Sequence, residues 1–184
     1  MNVPTRKSSD GPARHRMLGI YLNDHLAGAT TGTELARRMV HEHRRTAYGG
    51  KLGKLAAEIS EDRQALLGLL ADLGVPARRH KVVAAWLAER IGRMKPNGRL
   101  LRRSGLSVLV ELEALRLGAL GKAALWRALL SVSAQEARLD ADQLERLLRR
   151  AEEQITTLDS LHARAVVQVF RVLRPRSAPP HAAP

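Results

Sequence analysis

The chain has 184 residues, a formal net charge of +13, no cysteine and 3% aromatic residues. This length holds one domain with a sizeable core. The missing Cys excludes disulfides and thiolate chemistry, and no apolar run in the sequence reaches membrane-spanning length. Leu and Ala dominate, strand-type runs of Val, Ile, Thr and aromatics are missing, and an all-α protein is expected.

Residues 1–16 are basic and contain Pro, Ser and Gly, with no apolar stretch of a secretory signal behind them. They are expected to be disordered, with one helical domain over 17–173. The first long helix is predicted from Leu18 to Arg45, with Leu22, Leu26, Ala29, Ala36 and Val40 on one face and His25 and Thr33 among them. His25 is expected to be packed and hydrogen-bonded. Gly28 and Gly32 lower helix propensity, so a close approach is expected there, by a neighbouring helix or by a second copy of the chain. Gly49-Gly50 turns the chain. A second helix over Lys51–Leu73 carries Leu52, Leu55, Ile59, Leu66, Leu70 and Leu73, and Gly74-Val75-Pro76 stops it. The short connection makes these two helices antiparallel neighbours.

Residues 76–105 form a long basic crossover, with a shorter amphipathic helix expected over Lys81–Met94 around Val82, Val83, Trp86, Leu87 and Ile91. A segment this long can run back along a bundle and make the second and third long helices parallel. The third helix is predicted over Ser107–Ser131 with Leu109, Leu112, Leu120, Ala123 and Leu130 as its stripe. The fourth begins after a short loop. Asp140 caps it with Gln143 three residues on, and Leu139 and Leu144 are spaced for a hydrophobic staple. Its stripe runs through Leu144, Leu147, Leu148, Ala151, Ile155, Leu158, Ala165, Val166 and Val169, with His162 inside it and Asp159 one turn earlier. Residues 174–184 read as a disordered tail. Leu26, Ile59, Leu66, Leu112, Leu120, Leu148, Ile155 and Leu158 are expected to be buried together.

Each helix also carries polar residues on or beside its apolar face. Counting about 1.5 Å per residue from the turns puts Asp62 opposite Thr33, and places Glu113–Arg116 and Asp159–His162 at the same height. A carboxylate layer inside four helices, two hairpins joined by a long crossover, resembles the layout of the ferritin-like superfamily over about Leu18 to Phe170. The stretches Tyr21-Leu-Asn-Asp-His-Leu-Ala-Gly28 and Ala85-Trp-Leu-Ala-Glu-Arg90 resemble a group of bacterial proteins without an assigned activity. The superfamily resemblance implies a ferritin-like four-helix bundle and a metal pattern of one Glu on each of two helices and Glu-x-x-His on the other two. Here Asp159-x-x-His162 matches one such element with Asp for Glu, and Glu58-x-x-Glu61 lacks the His. Glu113 stands for the third-helix acid, and Glu34 is the first-helix acid nearest this height.

Two readings of the layer follow. The preferred one is a metal-free network in which Asp62, Glu113 and Asp159 are neutralised by Arg63, Arg116 and protonated His162. The alternative is an iron or manganese centre held by Glu34, Glu58, Asp62, Glu113, Asp159 and His162, of oxidoreductase or storage type. A third reading draws on the crossover, where Arg78, Arg79, Lys81, Arg99, Arg102 and Arg103 form the densest positive run and can hold an anion or nucleic acid. No stacking surface, helix-turn-helix, phosphate loop or hydrolase motif accompanies it. Arg and Ala enrichment spread over every segment suits the coding bias of a high-GC bacterial genome, so the charge by itself does not require an anionic partner. The expectation is a cytoplasmic, non-catalytic structural or interaction module, with homo-oligomerisation left open.

Overall fold

The computed structural model describes residues 10–78 and 106–172. They form four long α-helices: α1 (Asp10–His43), α2 (Gly49–Asp72), α3 (Leu106–Val132) and α4 (Ala141–Val172), with a 3-10 turn (Ser133–Gln135) between the last two. No strand occurs among the described residues. No helix among them is long and apolar enough to cross a membrane. Helix α1 begins at Asp10, well before Leu18, and its first turns are exposed. The short helix expected over Lys81–Met94 and the tail over 174–184 lie outside the described residues.

The stops and starts follow from local chemistry. Gly74 adopts φ +66°, the left-handed conformation that side chains with a Cβ resist. Its N–H donates to Ala71 O at 3.0 Å, and Val75 N–H donates to Leu70 O at 2.8 Å. This is a Schellman ending, sealed by burial of both Val75 and Leu70 in one core cluster. At the start of α2, a Cβ on Gly49 would lie 2.8 Å from Arg44 O, so the tight turn out of α1 requires glycine. Gln143 N–H donates to Asp140 Oδ1 at 3.2 Å, capping α4, and Leu139 and Leu144 are both buried beside that cap.

Two core clusters settle the helix directions. One unites Leu22 and Leu26 of α1, Leu66 and Leu70 of α2, Ala123 and Trp126 of α3, and Leu144 and Leu147 of α4. The other unites Leu35 and Met39, Leu52 and Leu55, Leu109 and Leu112, and Leu158 and Leu161. The C-terminal halves of α2 and α3 therefore share one end of the bundle, and these two helices run parallel. Helix α1 packs on α2 and α3, and α4 packs on α3 and α2. Every packed neighbour is antiparallel. Asn23 ties the outgoing crossover to α1: its Nδ2 donates to Gly19 O (2.8 Å) and Pro76 O (3.2 Å), and its Oδ1 accepts from Arg78 N–H (2.6 Å).

Of the expected core, Leu26, Ile59, Leu66, Leu112 and Leu158 are buried, and Leu148 and Ile155 are partly buried against it. Leu120 is 39% exposed. Helix α3 is apolar on nearly every side, so its stripe has two plausible phases, and the core takes Leu115, Ala119, Ala123, Trp126 and Leu129. In α4 the buried line is Leu144, Leu147, Ala151, Gln154, Leu158, Leu161 and Ala165. Alternating steps of three and four define this narrow seam, which is typical of four-helix bundles. The close approach expected at Gly28 and Gly32 is absent among the described residues, because a Cβ at either position meets nothing within 4 Å.

Candidate functional site: a buried polar core

Helix α2 presents Asp62 at a core position, between Ile59 and Leu66, where it is 2% exposed. Such a carboxylate needs compensating partners, because transferring an unpaired ion out of water is costly. Lys122 of α3 supplies an ammonium that bonds Asp62 Oδ2 and reaches Gln154 Oε1 at 2.5 Å. From α4, Arg150 Nε donates to Asp62 Oδ1 at 2.7 Å, while its Nη1 continues to Glu61 Oε2 at 2.8 Å. Gln154, itself 1% exposed, donates through Nε2 to Asp62 Oδ2 at 3.1 Å and to Glu58 Oε2 at 3.3 Å. Three helices thus converge on one carboxylate, and two cations and one amide satisfy both of its oxygens. Burial pushes the Lys122 ammonium below the ordinary lysine value, and the Asp62 carboxylate works against that shift.

The other residues marked in the sequence lie elsewhere. His162 is half-buried, and its Nε2 is 3.0 Å from Glu113 Oε1. Asp159 turns away from His162 to Arg116, whose Nε lies 2.5 Å from its Oδ1. Both pairs bridge α3 and α4 at the surface, where such contacts contribute little to stability. Glu34 is exposed and pairs with Arg37 on its own helix. Arg63 Nε donates across the first hairpin to Thr30 Oγ1 at 3.0 Å. Glu58 and Asp62 thus share the polar core, Glu113 and Asp159 pair separately nearer the surface, and Glu34 stands apart. Of the expected network, Arg116 does meet Asp159 and His162 does meet Glu113, but apart from Asp62, whose cations are Lys122 and Arg150 and not Arg63. The six acid and imidazole side chains proposed for iron or manganese do not gather into one donor set. His25 packs edge-on against the Tyr21 ring, with centroids 4.6 Å apart, and burial lowers its pKa against the raising effect of Asp24.

Lys122 and Gln154 were both readable signals. Lys122 is the lone charge between Arg116 and Arg127 in an otherwise apolar run, and Gln154 occupies a seam position between Ala151 and Leu158. Two surface hollows occupy other parts of the molecule, one lined by His15, Asn23 and Pro76 and the other by His41, Glu42, Arg44 and Arg45. Asp62 lines neither. Of the crossover residues read as anion-binding, Arg78 is exposed, while Arg79, Lys81, Arg99, Arg102 and Arg103 lie outside the described residues. No family model, curated protein or solved structure matches the chain.

Proposed function

We propose that the chain is a ferritin-like bundle serving as a non-catalytic structural or interaction module in the cytoplasm, with a charge network in the interior position where metal-binding proteins of that layout hold ions. The observation that carries this reading is the pairing of Asp62 with Lys122 and Arg150. Both cations bond the oxygens through which Asp62 would ligate a metal, and the amide of Gln154 completes the set. A cationic donor set repels iron or manganese, since metal binding needs deprotonated, lone-pair-bearing ligands. Buried ionic groups of this kind can serve to specify one arrangement of packed helices over its alternatives.

The test is metal analysis of purified full-length protein grown with iron and manganese, together with melting curves in chelator. The expected outcome is no iron or manganese retained through Asp62, and a response of the melting temperature to chelator that is the same in the wild type and in Asp62→Asn. Two such ions per chain, lost on Asp62→Asn, would overturn the reading.

A further inference from the structure

A second group of ionisable residues lies far along the bundle from the Asp62 network. The last turn of α1 and the first turns of α3 bring Glu42, His43 and Glu111 together. One oxygen from each carboxylate and one imidazole nitrogen lie within 4.8 Å of one another, the one such three-donor group found among the described residues. Glu111 is largely covered and Glu42 is half exposed. The backbone of His43 is fixed at the end of α1, since its carbonyl accepts from Thr46 N–H at 2.9 Å and Thr46 Oγ1 at 2.8 Å.

This spot already attracts a cation. Arg38, one turn back on α1, places Nη2 2.8 Å from Glu111 Oε1 and Nε 4.0 Å from Glu42 Oε1. The C-terminal end of α1 adds the negative end of its dipole. Arg38 is half exposed, so its long side chain can leave for solvent when another cation takes its place.

We propose that Glu42, His43 and Glu111 form a binding site for a divalent transition-metal ion of the zinc class, in competition with the Arg38 guanidinium. The imidazole decides the class. Magnesium and calcium take oxygen ligands, whereas a mixed nitrogen and oxygen set suits zinc and its neighbours. Zinc bonds of about 2.0–2.2 Å draw such donors to roughly 3–4 Å apart, so donors that lie within 4.8 Å of one another close in on the ion as it binds. Water fills the remaining coordination position.

The experiment is calorimetric titration of the full-length chain with zinc chloride, paired with the visible spectrum of the cobalt(II)-loaded protein. One ion per chain is expected. His43→Ala and Glu111→Gln each weaken binding by more than about 100-fold, since losing even an outer supporting contact at a metal site costs roughly 10–100-fold. Both variants also remove the cobalt absorption. Arg38→Ala tightens binding, because it deletes the competing cation; a merely structural role for the cluster predicts no such gain. His41→Ala, two residues away and exposed, leaves affinity unchanged. Circular dichroism confirms that each variant is folded. Absence of zinc binding to the wild type, or equal losses for His41→Ala and His43→Ala, overturns the proposal. Zinc lost on His43→Ala belongs to this site, whereas iron or manganese lost on Asp62→Asn concerns the polar core, so the two readings fail separately.

Discussion

Two residues at the loop between α3 and α4 show how a single contact ties local chemistry to stability. Arg138 donates to Glu136 through Nε and Nη2, both at 2.7 Å, and its Nη1 reaches Leu73 O at 3.0 Å, one of the carbonyls left free where α2 ends. The side-chain hydrogen bonds from Arg138 hold the Glu136 carboxyl at about 2. A folded pKa below the unfolded one means the unfolded chain binds more protons between those values. The stabilisation is therefore present above the ordinary carboxylate range near 4.5 and is lost as pH falls toward about 2. In Glu136→Gln the difference in melting temperature from wild type should be present at pH 6 and shrink steadily between pH 4.5 and pH 2. A constant difference across that range would show that Glu136 acts through packing alone.

Among the helices, glycine separates strict from dispensable positions. Gly74 is strict, because its left-handed backbone ends α2 and orients Val75 into the core. Gly74→Ala should destabilise the protein by about 1 kcal/mol or more in urea titrations. Gly28 and Gly32 lie inside α1 with open space where a Cβ would stand. Each replaced by Ala should stabilise the monomer by about 0.5–1 kcal/mol through helix propensity. A loss at either position, accompanied by a smaller mass in light scattering, would show that a second copy packs closely against that face.

For the whole molecule the decisive quantity is how far one hairpin slides along the other. The sequence count pairs Asp62 in height with Glu113–Arg116 and Asp159–His162, yet Asp62 meets Lys122, Arg150 and Gln154. Within the second hairpin the count is right, since Glu113 meets His162 and Arg116 meets Asp159. The whole α3–α4 hairpin is displaced by about two helical turns, roughly 9–14 Å at 1.5 Å per residue. Double-mutant cycles measure this directly. Asp62→Asn with Lys122→Met should show a coupling energy of roughly 1–3 kcal/mol, whereas Asp62→Asn with Arg116→Met should be additive within about 0.5 kcal/mol. Lys122→Met alone should cost about 3–5 kcal/mol, because it strips a buried carboxylate of one partner. Strong coupling of Asp62 to Arg116 would restore the register counted from the turns.

The sequence by itself determined the four long helices, the Gly74 and Asp140 ends and the order of the turns, and its long crossover allowed the parallel course of α2 and α3. These depend on chemistry carried within a few residues, as in the Gly74 ending and the Asp140 cap, or on loop length, as in the two short hairpins. It also marked Asp62 as an interior acid. Tertiary structure alone decided which cations neutralise it. A short loop fixes the register of the two helices it joins, which is why Glu113 and His162 meet as counted. A long crossover leaves the slide between hairpins free, and interlocking of the two core clusters sets it. The phase of α3 was ambiguous for a related reason. With Leu or Ala on nearly every side, burial of Ala119 and Trp126 in place of Leu120 follows from the shape of the neighbouring helices and not from any polarity written along α3.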